Sequence, residues 1–226
     1  MNERPVFVIA VAGVATDVGK TWVATALLAQ LASTGRLVSA RKPAQSYDAD
    51  TVTTDAHLLA AATDDDPARV CPAHRWYPLA MAPPIAAQCL GLAPIVLRDL
   101  LGEVAWPRDV EIGVVETVGG VRSPMADDAD SATFVHALHA DHVVLVADAG
   151  LGAISAVRLS VDVLAPAAIT VVLNRFDGDS RVHRANRDWL ADRDGLSVVT
   201  TVEECVAAVL RVGSIGLSDP DGRLAE

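Results

Sequence analysis

The sequence predicts an α/β fold, a mostly parallel sheet flanked by helices on both faces. Three observations carry that reading. Apolar runs of strand length alternate with helix-length segments. The apolar runs are continuous rather than alternating, as in strands buried on both faces. The first run leads through a glycine-bounded loop, Gly13-Val14-Ala15-Thr16-Asp17-Val18-Gly19-Lys20-Thr21, into a helix-like segment. Strand, loop ending in Gly-Lys-Thr, and helix are the context a phosphate-binding loop needs. Backbone N–H groups and the helix N-terminus offer positive charge to phosphate oxygens. Lys20 adds a full charge, and the Thr21 hydroxyl suits Mg²⁺. Gly13 and Gly19 enclose five residues, one more than the common pattern.

The elements follow in order. Residues 6–11 form the first strand and residues 22–32 the first helix. Residues 37–40 read as a second strand, closed by Lys42-Pro43; proline stops sheet pairing and keeps Lys42 extended. Residues 56–62 read as a short helix behind Asp55, which is either its N-cap or a metal carboxylate. Residues 63–92, rich in Pro and Asp, read as an irregular excursion. Residues 94–101 suit a helix with Pro94 near its first turn. Residues 112–115 are a buried strand running into Glu116. A helix over 131–138 precedes a strand over 142–146 that ends at Asp148. A helix over 152–164 leads to a strand over 169–173, followed by Asn174. Residues 182–191 are amphipathic, 197–200 suit a last strand, and 202–212 a closing helix. The polar tail after Ser214 is expected to fray. With no internal repeat or linker, residues 1–226 read as a single nucleotide-binding domain.

Composition narrows the class. Hydrophobic residues make up 51% of 226 but aromatics only 4%, so Ala, Val and Leu must fill the core. A net charge of −11 argues against nonspecific nucleic-acid binding, which needs a positive face. Cys71, Cys89 and Cys205 lack CxxC spacing and read as reduced thiols, and no histidines pair at metal-ligand spacing. The N-terminal apolar run meets Gly-Lys-Thr where a signal-peptide cleavage site would lie. No run approaches the roughly 20 apolar residues of a membrane span. A cytoplasmic protein without membrane or nucleic-acid partners is expected.

In parallel sheets, ligands sit beyond the carboxyl ends of the strands. The glycine loop, Lys42, Glu116, Asp148 and Asn174 all fall there. Lys42 is placed to meet phosphate. Glu116, a carboxylate after an apolar strand, is the expected second Mg²⁺ ligand of a P-loop NTPase-type protein. Asn174 can both donate and accept, which suits an adenine edge; a turn-forming asparagine is the alternative.

These residues, in this order, resemble the dethiobiotin synthetase family, whose longer loop reads Gly-Thr-Asp-Thr-x-Val-Gly-Lys-Thr. Gly13, Thr16, Val18, Gly19, Lys20 and Thr21 match it, with Asp17 at its variable position. Lys42-Pro43-Ala44-Gln45-Ser46 matches its Lys-Pro-x-x-Ser/Thr segment, and Asp55 its first acidic Mg²⁺ ligand. Glu116, Gly119 and Gly120 match Val-Glu-Gly-Ala-Gly-Gly, Leu151-Gly152-x-Ile154 matches in part, and Asn174 matches the base-reading asparagine. The resemblance implies a homodimeric ligase that uses ATP, Mg²⁺ and CO₂ or bicarbonate to convert 7,8-diaminononanoate into dethiobiotin. It implies Lys20 and Lys42 as catalytic cations, and Thr21, Asp55 and Glu116 as metal ligands. Ser46, Thr117 and Gly119 would meet carbamate and diamine. The departures fall on the substrate side: Val14-Ala15, Tyr47, Thr117-Val118, Pro83-Pro84 and Ser155-Ala156. Two other functions are therefore kept beside the first: a related ATP-dependent or amide-forming synthetase with another acceptor, and a nonenzymatic ATP-dependent switch.

Overall fold

The structure, a computed structural model, describes residues 4–212; the polar tail after Ser214 lies outside them. The chain opens with β1 (Phe7–Gly13), buried throughout, and the glycine loop delivers it into α1 (Lys20–Ser33). β2 (Val38–Arg41) follows, then a short β3 (Gln45–Ser46) and α2 (Asp55–Thr63).

Residues 63–92, expected to be irregular, are largely ordered into short elements. They hold α3 (Pro67–Val70), a 3₁₀ turn over Ala73–Arg75, β4 (Trp76–Tyr77) and α4 (Pro83–Cys89), with β4 pairing in parallel with β3. The prolines that read as breaks open helices instead. Pro67 follows Asp66, whose carboxylate accepts from the Ala68 N–H at 2.8 Å, and Pro83 starts α4. At a first helical position the missing N–H has no intrahelical partner to lose.

α5 (Leu97–Glu103) begins later than Pro94 suggested. Asp127 and Asp128, from a distant turn, accept from the Ile95 and Leu97 N–H groups at 2.8 Å each and set its start. β5 (Ile112–Glu116) is buried to its last residue. A hairpin that the sequence reading lacks, β6 (Pro124–Ala126) and β7 (Ala129–Asp130), leads into α6 (Ser131–Ala137). The Asp130 carboxylate caps that helix by accepting from the Thr133 N–H at 2.7 Å. Then come β8 (His142–Asp148), α7 (Ala153–Leu164), β9 (Ile169–Asn174) and α8 (Arg181–Asp188), which continues as a π turn over Trp189–Arg193. β10 (Ser197–Val199) and α9 (Val202–Val212) close the described chain.

Six strands form one parallel sheet in the order β10-β9-β8-β1-β5-β2. Successive side chains of a strand point to opposite faces, and here both faces are covered. Ile9 and Val11 pack with Leu27, Leu28, Leu31, Leu59 and Val209 on one side. Ala10 and Ala12 pack with Val135, Val157, Leu164 and Leu190 on the other. This is why the strands read as unbroken apolar runs. β1 lies between β5 and β8, so the glycine loop leaves the middle of the sheet. Cys71 and Cys205 are buried free thiols and Cys89 is an exposed one. Among the described residues no helix is long and apolar enough to cross a membrane.

One buried titratable group belongs to the sheet itself. His142 is 1% exposed; its Nε2 lies 3.0 Å from Thr170 Oγ1, and its Nδ1 has no partner. Burial lowers its pKa from 6.5 to about 4. Above pH 6.5 the imidazole is neutral whether the chain is folded or not. As pH falls from there toward 4, the unfolded chain takes up a proton that the folded one refuses, so stability drops. The full effect of this one group is about 3 kcal/mol. His142→Val should therefore flatten the fall in melting temperature between about pH 6.5 and 4. Equal slopes for wild type and variant would refute the assignment.

Candidate active site

The carboxyl ends of β1, β2 and β5 open on a cavity of about 950 Å³, within the range of small-ligand sites. The glycine loop forms its floor. Gly19 has φ +92°, and a Cβ there would lie 2.1 Å from Asn174 Nδ2, so only glycine fits. Asp17 also takes a left-handed backbone, with φ +57°. Val18 is buried and its carbonyl accepts from Asn174 Nδ2 at 2.9 Å. Gly13 ends β1 beneath the Lys20 stem and does not line the cavity. Thr16, Asp17, Gly19, Lys20 and Thr21 do. Lys20 folds back so that its Nζ donates to the Ala15 carbonyl at 3.0 Å. Burial, and next the Lys42 cation, pull Lys20 down to about 8.

Above the loop sits a compact ion cluster. Lys42, 3% exposed, places Nζ 2.6 Å from Asp55 Oδ2 and 2.6 Å from Glu116 Oε1. Thr21 Oγ1 lies 3.0 Å from Asp55 Oδ1 and 2.9 Å from Glu116 Oε1, sharing one proton between two acceptors. Burial opposes the Lys42 charge, but Glu116 and Asp55 outweigh it and raise the pKa above the ordinary lysine value. Burial likewise opposes ionised Asp55, but Lys42 and Thr21 hold it below the usual carboxylate range. For Glu116, 1% exposed, burial wins and pushes the carboxyl up despite Lys42.

The N-cap reading of Asp55 is overturned by its neighbour. Thr54 takes the cap position, with φ −94° and ψ 171°, and its N–H donates to His57 Nδ1 at 3.2 Å. Asp55 is the first helical residue, and its carboxylate is free to turn to the cluster. The donor set suits a small hard cation. Glu116 Oε2 is buried with no hydrogen-bond partner, and Asp55 and Thr21 add oxygens beside it. Among the described residues no three His, Cys, Asp or Glu side chains gather as a metal cage. Magnesium needs none, since one or two carboxylates serve when water and phosphate complete the shell.

The other end of the cavity is built by β3, α4 and the loop after β5. Ser46, Tyr47, Pro83, Val118, Gly119 and Ser123 line it. Gly119 has φ +55°, and a Cβ there would meet Ser123 Oγ at 2.2 Å. Ser123 Oγ accepts from the Gly120 N–H at 2.8 Å and tightens this loop. Thr117 is turned away: it is fully buried, its hydroxyl donates to the Val11 carbonyl at 3.4 Å, and it does not line the cavity. The Tyr47 ring stands edge-on to Trp76 at 6.5 Å. Pro84 is buried in α4, while Ser155 and Ala156 on α7 do not line the cavity. Val14 and Ala15 do not line it either.

A second cavity of about 500 Å³ adjoins the loop, lined by Gly19, Trp22, Asn174, Arg175, Phe176 and Thr200 among others. Asn174 commits one N–H to Val18, and an amide keeps a second N–H and an acceptor oxygen. Sequence reasoning missed Gln45, Trp22, Ser123, Arg175 and Phe176 as lining residues. Gln45 lies inside the Lys42–Ser46 segment and Arg175 directly follows Asn174, so adjacency was a usable signal for those two. Trp22 directly follows Thr21 and carried the same signal, whereas Ser123 carries none.

Comparison with known proteins bears on family and fold. A family model described as an AAA domain matches residues 8–207. ATP-dependent dethiobiotin synthetase BioD of Haloferax mediterranei is 36% identical over 196 residues, covering 84% of this chain and 82% of that one. The protein of the same name from Methylobacterium nodulans is 34% identical over 212 residues, covering 87% and 91%. Among solved structures, a plasmid partition protein of Borrelia burgdorferi B31 bound to AMPPNP aligns with TM-score 0.56 at 15% identity, covering 93% of this chain and 98% of that one. Chloroplast FtsY of Physcomitrella patens aligns with TM-score 0.52 at 16% identity, covering 92% and 66%. At such identities the structural likeness speaks for the fold alone, a P-loop NTPase α/β fold. With the relatives above covered over most of their length, the chain belongs to the dethiobiotin synthetase family.

Proposed function

We propose that this enzyme is an ATP- and Mg²⁺-dependent ligase that carboxylates 7,8-diaminononanoate with CO₂ and closes the ring to dethiobiotin. The observation that carries the reading is the convergence of Lys20, Thr21, Lys42, Asp55 and Glu116 at one cavity of a family member. One substrate amine adds to CO₂ and gives a carbamate. A carbamate oxygen attacks the γ-phosphorus of ATP, and ADP leaves. The second amine then attacks the carbamoyl carbon, releasing phosphate and forming the cyclic urea.

The chain's part is positioning and charge. Lys20, already folded over the loop, meets the terminal phosphates. Lys42 faces the transferring phosphoryl group and the carbamate. Thr21, Asp55 and Glu116 would hold the metal ion, which would supply positive charge against the phosphates. Ser46 and the Gly119 loop meet carbamate and diamine, and Asn174 reads the base from the smaller cavity. Retention of both carboxylates favours turnover over a mere switch. One observation favours a second reading, a related synthetase with another acceptor. Tyr47 and Val118 line the cavity where the family pattern has Gly and Ala.

A homodimer belongs to the same reading, as the family resemblance implies. Sedimentation equilibrium returning a monomer with ATP and diamine present would remove that element. Phosphate release with ATP, Mg²⁺ and bicarbonate should depend on the diamine, with dethiobiotin detected by mass spectrometry. Diamine-independent release without a cyclic urea would transfer the assignment to the second reading. Lys42→Met should lower kcat by roughly 100-fold or more while KM for ATP moves only a few fold. An unchanged kcat in a variant that melts normally would strip Lys42 of its role.

A further inference from the structure

Arg175 stands where the two cavities meet. Gly19 and Arg175 line both of them. A nucleotide with its phosphates on Lys20 and its base against Trp22 and Phe176 would run past these two residues. Gly19 offers only backbone there, so Arg175 is the side chain at the passage.

The backbone of Arg175 is unusual. It has φ +55°, a left-handed conformation that is uncommon for a residue with a side chain. Such strain persists where surrounding structure holds it, and it clusters at functional sites. The conformation aims the guanidinium back at the glycine loop. Nη2 donates to the Asp17 carbonyl at 2.8 Å, and Nη1 lies 3.2 Å from Asp148 Oδ2. Asp17 is itself left-handed and adjoins the buried Val18 whose carbonyl Asn174 holds. Two neighbouring residues of β9 and its exit therefore grip two neighbouring carbonyls of the loop. The grip leaves donors to spare, since a guanidinium carries five N–H groups. The Arg175 side chain is 60% exposed. A planar cation with unspent donors, fixed beside a phosphate-binding loop, is suited to a phosphate oxygen.

We infer that Arg175 is a nucleotide-positioning residue: its guanidinium contacts the phosphate nearest the nucleoside while bracing the loop at Asp17. Its chemistry selects nucleoside phosphates over nucleosides. Asp148 is its resting counter-ion, and the nucleotide phosphate replaces or joins that contact. The inference rests on ATP as the bound nucleotide, and it is independent of the acceptor.

Arg175→Gly tests it, because glycine adopts φ +55° freely and that relief offsets part of the loss of the Asp17 and Asp148 contacts. Competition against a fluorescent ATP analogue would measure ATP, ADP, AMP and adenosine on wild type and variant. The variant should still fold, melting within a few degrees of wild type. It should bind ATP, ADP and AMP roughly 10- to 100-fold more weakly, with adenosine unchanged. Arg175→Lys, which keeps the charge but not the fork, should recover part of the loss. AMP bound as tightly as by wild type would overturn the phosphate contact and leave only a brace on the loop. ATP bound as tightly would overturn the inference entirely while the proposed function stands. Failure of the wild type to bind ATP would overturn both.

Discussion

The Lys42 ammonium, 2.6 Å from Asp55 and from Glu116, pins four elements at one point. Lys42 follows β2, Asp55 begins α2, Glu116 ends β5, and Thr21 lies in the first turn of α1. Lys42 and Glu116 are both buried and neither tolerates that burial alone, whereas Asp55 keeps 40% of its side chain exposed. A carboxylate as enclosed as Glu116 is stable only with a cation or a proton, and removing one member of a buried pair costs about 3–5 kcal/mol. Sheet register supports the cluster from beneath. Glu116 pairs with Val11 on β1, and the Thr117 N–H donates to the Val11 carbonyl at 3.0 Å. The strand that launches the glycine loop and the strand that presents the carboxylate therefore cannot shift independently. Such fixed charges act on phosphoryl chemistry without reorganising at the moment of reaction.

The cavity is also where the chain leaves polar groups unsatisfied. Four buried side-chain atoms among the described residues lack a partner, and three of them, Gln45 Nε2, Ser46 Oγ and Glu116 Oε2, belong to residues lining this cavity. Each such group costs about 1–3 kcal/mol. Their gathering in one place is what the proposed ligand site would require. The amide of Gln45 is oriented by chemistry: its Oε1 accepts from the Ala56 N–H at 3.0 Å, so the idle atom is a donor.

The central strands were legible because both of their faces are buried, which leaves a continuous apolar signature. Lys20, Thr21, Lys42 and Glu116 were legible because each sits at the carboxyl end of such a strand or just beyond. What the sequence concealed depends on distant partners. The start of α5 is set by Asp127 and Asp128, some thirty positions away along the chain, so no local signal marks it. Pro67 and Pro83 read as breaks because a proline that opens a helix and one that ends a strand look alike without neighbours. The inward turn of Thr117 follows from strand alternation after Glu116, which side-chain type alone does not reveal. The reach of Arg175 depends on a left-handed backbone that no residue identity announces.

The bond from Ala56 to Gln45 has a mechanical meaning. The end of the cavity away from the glycine loop is walled in part by small peripheral pieces, β3 and α4, which lie outside the six-stranded sheet. Those pieces lie apart from the strands that launch the glycine loop and end at Glu116, so the chain has a peripheral front and a sheet-anchored back. Gln45 is where that separation fails. It belongs to the wall, yet its amide is fastened to the residue next to Asp55. Any change of acceptor that displaces Gln45 is transmitted across a single hydrogen bond to the first turn of α2. Remodelling the front thus has one built-in restraint, the length of a glutamine side chain.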